Sequence, residues 1–311
     1  MNVTTNSCRV GLSGKKLLIH GKLVRTARLE EEWYDDVESP DALVKAIHDS
    51  ECRADVLTFW QRLPNVEPRF NYCMDHDSIA AIPIKDYAFW WANQIDAKTR
   101  NMIRKAEKKG IVVRRSEFDD KFVQGMVSIF NETPVRQGKP FWHYGKDFET
   151  VKREFSRFLF REEIFGAYVG DELIGFIFII WAGKFAALGQ IISKIAHRDK
   201  APNNALIAKA VERCSEKGVP YLAYANWVEG SLGEFKRSNG FEKVDLPRYF
   251  VPLTWKGRIF VSLRLYRGSS LLPKGVVQFL KDSRKRFNEL RTARAGHPPG
   301  MEPSSPSRPH G

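Results

Sequence analysis

The sequence predicts an α+β protein built from two related halves, and three observations carry that reading. Segments with strand and helix periodicity alternate along the chain. A strand, turn, strand arrangement recurs: Asp77-Ser78-Ile79-Ala80-Ala81-Ile82 aligns without a gap on Asp171-Glu172-Leu173-Ile174-Gly175-Phe176, an offset of about 94 residues. Between the two copies stands a basic helix closed by Gly110.

The elements follow in order. Leu17 to Ala27 reads as a short hairpin around Gly21. Ser39 caps a helix that starts at Pro40, with Leu43, Val44 and Ile47 on its apolar face. A second short helix is expected over 54–62, and 69–84 reads as strand, polar turn at Asp75 to Ser78, strand. The basic helix spans 94–109 and precedes a strand at 111–115. A helix at 150–160, strands at 164–169 and 173–180, and a strand at 187–195 lead to a helix at 205–217. A strand at 221–224, a helix at 232–238, Gly240-Phe241 and a last strand at 249–253 complete the pattern. The expected divisions are 14–115, an N-terminal half with the linking helix; 116–267, a C-terminal half with the active site; 268–295, a basic amphipathic helix; and 296–311, a Pro, Ser and Gly rich disordered tail.

Composition narrows the function classes. The 311 residues are 43% hydrophobic and 12% aromatic, enough for folded cores and too much for a disordered chain. The longest apolar run, Leu173 to Gly183, falls well short of the roughly 20 residues that span a bilayer. Nothing at the N-terminus resembles a signal peptide, so a cytoplasmic location is expected. Cys8, Cys52, Cys73 and Cys214 lie far apart with no metal-ligand spacing, which suggests core filler and no metal site. Fifty Lys and Arg against 37 Asp and Glu leave a formal charge of +13. Most of that excess lies in Lys256 to Arg294, so the C-terminal helix is expected to rest on an anionic membrane or to dock on the protein itself.

The order helix, hairpin, strand, loop, helix, strand, helix, Gly-Phe, strand resembles the GNAT acyltransferase fold, and Phe235-Lys236-Arg237-Ser238-Asn239-Gly240-Phe241 resembles its C-terminal motif. Together with Ile103-Arg104-Lys105-Ala106-Glu107-Lys108-Lys109-Gly110-Ile111, it is similar to the Fem-type peptidoglycan-bridge aminoacyltransferases, over roughly 14–267. The resemblance implies tandem GNAT-like domains, each a mixed, mostly antiparallel sheet flanked by helices. It implies N-acyl transfer, with an acyl-CoA or aminoacyl-tRNA donor and no permanently bound cofactor. Two positions depart from ordinary GNAT enzymes. The pyrophosphate loop is Arg198-Asp199-Lys200-Ala201-Pro202-Asn203-Asn204, in which Pro202 lacks an amide donor. Lys236 stands where many GNAT enzymes carry a Tyr, as in the Fem-like pattern.

Acyl transfer to an amine needs a stabilised oxyanion and a neutralised leaving group, but no covalent nucleophile. Lys236 is the candidate for electrostatic stabilisation; the alternative is an ordinary exposed helix lysine. The loop 133–148 offers Arg136 for an anionic substrate beside Gln137, Trp142 and Tyr144 for a sugar or base, and His143 as a general base or as a packed ring. Asn226, Arg248 and Tyr249 are expected at the sheet edge beside Lys236. Arg198, Lys200, Asn203 and Asn204, with Arg104 and Lys105 of the basic helix, are candidates for the donor's phosphates, the helix run alternatively being a solvated face. The leading reading is an N-acyltransferase acting on an amino sugar or a lipid-linked cell-envelope precursor, with tRNA as a partner where it carries the donor. The competitors are a CoA-dependent N-acetyltransferase of a small amine and a non-catalytic tandem scaffold that binds nucleic acid or an anionic membrane.

Overall fold

Among the described residues, eleven strands form one sheet. The computed structural model describes residues 6–9 and 15–267, except 158. The expected helix at 268–295 and tail at 296–311 lie outside the described residues. By its contacts the chain divides into 1–258, which holds the whole sheet, and a second unit, 259–311.

The first strands, β1 (Asn6–Arg9), β2 (Lys16–His20) and β3 (Thr26–Leu29), form an antiparallel meander. Helix α1 (Pro40–His48) then crosses over to β4 (Val56–Trp60), which lies parallel to β3. Ser39 takes the N-cap position of α1 but makes no side-chain cap bond. All five residues of β4 are buried, so the expected helix at 54–62 is a central strand instead. The expected hairpin at 69–84 is likewise absent: β5 (Cys73–Pro83) runs straight through the polar stretch. Asp77 accepts from Arg248 and Ser78 donates to Asp245, both on the neighbouring strand β13 (Glu242–Pro252), so the polar residues are satisfied within the sheet. Cys214 fills the core as expected, whereas Cys52 is disulfide-bonded.

A short helix α2 (Tyr87–Phe89) widens into a π turn, Trp90–Gln94, before the basic helix α3 (Ala97–Lys108). Asp96 caps α3 by accepting from Thr99 N, and Gly110 beyond its end takes a positive φ of 77°. Strand β6 (Ile111–Arg115) follows at the sheet edge, paired with β9 (Glu162–Val169). Between them come α4 (Asp120–Phe130), a two-strand ribbon of β7 (Val135–Arg136) and β8 (Lys139–Pro140), and α5 (Phe148–Phe155). Helix α4 was not foreseen in the sequence. The chain continues through β10 (Glu172–Trp181), β11 (Ala186–Ser193), α6 (Pro202–Glu216), β12 (Tyr221–Asn226), α7 (Ser231–Ser238) and β13, and then α8 (Trp255–Ser262).

Strand β10 shows how the layers form. Phe176 and Phe178 point into a cluster with Phe122, Phe130 and Val151 of α4 and α5, while Ile174, Ile177 and Ile179 point into a cluster with Ile103, Leu206 and Val211 of α3 and α6. Side chains alternate across a strand, so helices on both faces demand the unbroken apolar run seen in the sequence. Among the described residues, no helix is long and apolar enough to cross a membrane.

The sheet order shows a repeat, though not the one aligned in the sequence. Outward from the junction of β13 and β5, one side runs β13, β4, β3, β2, β1 and the other β5, β12, β11, β10, β9. The parallel pair β3 and β4 joined by α1 therefore matches the parallel pair β11 and β12 joined by α6. Strand β5 corresponds to β13, not to β10. Each of these two strands sits beside strands of the opposite half.

Candidate active site

The parallel strands β11 and β12 pair only at Ala186 with Leu222 and Ala187 with Ala223. Two irregularities part them beyond that point. Gly189 bulges out of the β10 pairing, because Phe178 faces Gln190 and Ile179 faces Leu188. On β12, Ala223 pairs with Ala81 and Asn226 with Ile79, so three steps on one strand meet two on the other, and Ala225 takes a left-handed φ of 50°. The strands open onto a cavity of about 170 Å³, bordered by Ala187 and Gly189 on one side and Ala223 and Ala225 on the other.

Lys236 of α7 reaches β12 beside Ala225, which borders the cavity. Its ammonium donates to the carbonyls of Tyr224 and Asn226, both at 2.7 Å, bracketing Ala225, and lies 4.4 Å from the Tyr224 ring centre. The residue is 1% exposed, so it is not an ordinary surface lysine, and burial pulls its pKa down to about 8. Asn239 closes α7 and is fully buried; its side-chain oxygen accepts from Asn204 Nδ2 at 3.1 Å, joining α7 to the first turn of α6. Gly240 follows at φ 86°, where a Cβ would meet the Trp90 indole nitrogen at 2.9 Å, so the Gly-Phe of the motif is a matter of space as well as backbone shape.

The turn that carries the donor-side candidates Arg198 and Lys200 is anchored by a residue that no motif marks. Glu132, just past α4, accepts from Ile195 N at 2.6 Å and Ala196 N at 2.9 Å, and pairs with Arg136 at 3.1 Å. It thereby ties the loop 133–148 to the turn Ile195–Lys200 that carries Arg198 and Lys200. Arg136 is further held by the carbonyls of Ser193 and Ile129, at 2.8 and 3.0 Å. Helix α3, with exposed Arg104 and half-buried Lys105, packs against the same turn and against α6. Ala201 caps α6 in a left-handed conformation, Pro202 takes the first helical position, and the Asn203 side-chain oxygen is buried without a partner. Lys200 Nζ lies 3.0 Å from His197 Nδ1.

Other candidates fall elsewhere. His143 is 1% exposed, stacked 4.2 Å from Phe130, and receives a hydrogen bond from Lys146 Nζ at 3.3 Å. Burial holds its imidazole down to about 4, which makes a weak base. Trp142 and Tyr144 are exposed, and Gln137 turns the tip of the β7–β8 ribbon with Gly138, both at positive φ. Arg248 and Tyr249 do not meet Asn226. They face Asp75 and Met74 of β5, whereas Asn226 faces Ile79, about 13 Å further along that strand. Tyr249 is a core residue, its hydroxyl donating to Gln61 at 2.9 Å. Arg248 pairs with Glu32 at 3.2 Å and also bonds Asp77.

An acetyltransferase (GNAT) domain model matches residues 95–236, which runs from just before α3 through Lys236. Over that stretch the chain is similar to GNAT acetyltransferases. Its overall fold is shared with FemX, at 13% identity and a TM-score of 0.55 over 83% of this chain and 90% of that one. It is shared also with L-PGS from Bacillus licheniformis, at 12% identity and a TM-score of 0.51 over 86% and 90%. A conserved protein of unknown function from Bacteroides thetaiotaomicron has the same fold, at 11% identity and a TM-score of 0.52 over 80% and 86%. No curated protein matches the sequence.

Proposed function

We propose that the protein transfers an acyl or aminoacyl group to the amine of an amino sugar or cell-envelope precursor at the opening between β11 and β12. The observation that supports this reading is the Lys236 ammonium fixed by the carbonyls on either side of Ala225, a residue that borders that opening. An ammonium has three N–H donors, and two are spent on the Tyr224 and Asn226 carbonyls. The third is left for charge that develops on the acyl oxygen or leaving group, and a group already held in place stabilises that charge without reorganising. In the reaction the amine nitrogen attacks the acyl carbonyl, the tetrahedral oxyanion collapses, and a C–N bond replaces the bond to the donor's sulfur or ribose oxygen. The proton shed by the amine goes to that leaving atom. His143, a weak base packed between aromatic rings, takes no part.

The cations Arg198, Lys200, Arg104 and Lys105 support an anionic donor, and Pro202 leaves α6 one amide fewer with which to hold a CoA pyrophosphate. That favours aminoacyl-tRNA as the donor. A second reading, CoA-dependent acetylation of a small amine, is favoured by the acetyltransferase family model. The test offers the protein labelled acetyl-CoA and tRNA charged with labelled amino acids, against a UDP-linked amino sugar and a small primary amine. Label is expected in an N-acylated product, and Lys236→Met should lower kcat about 100-fold or more with KM little changed. Failure of both donors, or an unaltered kcat in K236M, overturns the proposal.

A further inference from the structure

The wall of the cavity opposite β11 and β12 carries a cation to which, among the described residues, no carboxylate is hydrogen-bonded. Arg62, just beyond β4, is 4% exposed and lines the cavity together with Trp33, Phe185 and Leu246. Its Nε and Nη2 are buried without a hydrogen-bond partner. The guanidinium lies 4.7 Å from the Trp60 ring centre and 5.9 Å from that of Trp33, contacts that hold the plane in place but do not satisfy its N–H groups. The acids whose charge reaches it are bonded to other arginines: Glu32 by Arg28 at 2.7 Å and Arg248 at 3.2 Å, Asp36 by Arg69 at 2.9 Å and Asp35 by Arg161 at 3.2 Å. Neighbouring Gln61 makes the contrast plain. It is fully buried, and its amide reaches the carbonyls of Asn65 and Glu67 while its oxygen accepts from Arg69 N and the Tyr249 hydroxyl.

A buried, unpaired charge is strongly unfavourable, and orphaned N–H groups add to the cost. Such a group persists where a ligand completes it. The remaining walls are apolar or aromatic, and the space of about 170 Å³ compares with the roughly 150 Å³ of an apolar protein cavity that takes up benzene.

We propose that this cavity receives the part of a substrate that bears an anionic oxygen, carboxylate or phosphate, on a ring-sized apolar body, with Arg62 as the counter-ion. The assignment to a substrate rests on the reading of the β11–β12 opening as the transfer site, since the cavity is bounded there by Ala225. Arg62 is a binding residue in this proposal. It anchors the substrate deep in the opening, so that the part left at the mouth faces Lys236. Burial pulls the guanidinium down to about 9, which leaves it charged at neutral pH.

Binding is measured with no acyl donor present, by NMR titration of the full chain with phenylacetate, phenyl phosphate and the neutral phenylacetamide. At least one of the two anions is expected to bind tenfold or more tightly than the amide, and the tighter of the two tells carboxylate from phosphate. In Arg62→Met that preference should disappear. In Arg62→Lys, which keeps a charge on a shorter and less planar head, a preference of a few-fold should remain. Equal affinity for anion and amide, no binding of either anion, or an anion preference unchanged in R62M overturns the proposal; if R62M does not fold, the wild-type and R62K preferences decide it. Because no donor is needed, a protein that binds the anion but transfers nothing refutes only the transfer reading.

Discussion

A lysine that is 1% exposed, with no carboxylate bonded to it, keeps its charge at a cost, and for Lys236 that cost sets a pH signature. The folded protein releases this proton near pH 8 and the unfolded chain near 10.5. Between those values the unfolded state binds more protons, so this group makes stability rise with pH; below 8 both states are protonated and its contribution is flat. Urea unfolding of wild type and Lys236→Met at pH 7 and pH 9.5 checks this. The gap between the two should shift in favour of the wild type at the higher pH, and a gap that does not move contradicts the assigned burial. Catalysis should run the other way. If the cation is what acts, the ratio of wild-type to K236M kcat falls as pH passes about 8.

Among the elements, those whose periodicity answers to local packing were legible in sequence. The basic helix, α6 and the strands β9 and β10 all fall close to their expected positions, because caps, glycines and apolar runs sit inside the segments they define. β4 is illegible as a strand because a five-residue buried run, four apolar residues around Thr58, has no period of its own, and only the strands on either side make it a strand. β5 was misread because Asp77 and Ser78 look like a turn until Arg248 and Asp245 are brought alongside from the far end of the chain. In the site, Lys236 was legible through its motif. Glu132 and Arg62 were not, since what marks them is the partner each finds or lacks in space. The two-sided packing of β10 carries a further prediction. Phe176→Ala removes a fully buried ring from the α4–α5 side and should cost about 3 to 5 kcal/mol, read by denaturant unfolding. A loss under 1 kcal/mol would mean that the phenylalanine cluster contributes little to holding the helices on the sheet.

At the scale of the whole molecule, the matched region 95–236 is not a self-sufficient half. It omits both β5, which pairs with β12, and β13, which pairs with β5 and β4. A fragment covering 95–258 is therefore expected to lack a cooperative unfolding transition alone and to recover one when mixed with a fragment covering 1–94. Cooperative melting of 95–258 by itself, near the temperature of the full chain, would show that the exchanged strand is dispensable.

The place of β13 between β4 and β5 also sets a schedule for synthesis. Both neighbours have been made by Pro83, yet the strand that joins them ends at Pro252. At about 5 to 20 residues per second, a ribosome needs roughly 10 to 30 s to cover that distance. During that time the facing edges of β4 and β5 present unpaired N–H and C=O groups, the feature that draws other chains into edge-to-edge association. The nascent chain is thus most exposed to aggregation midway through translation, before its last strand arrives, and holding factors that act on the ribosome should raise its soluble yield more than those that act after release.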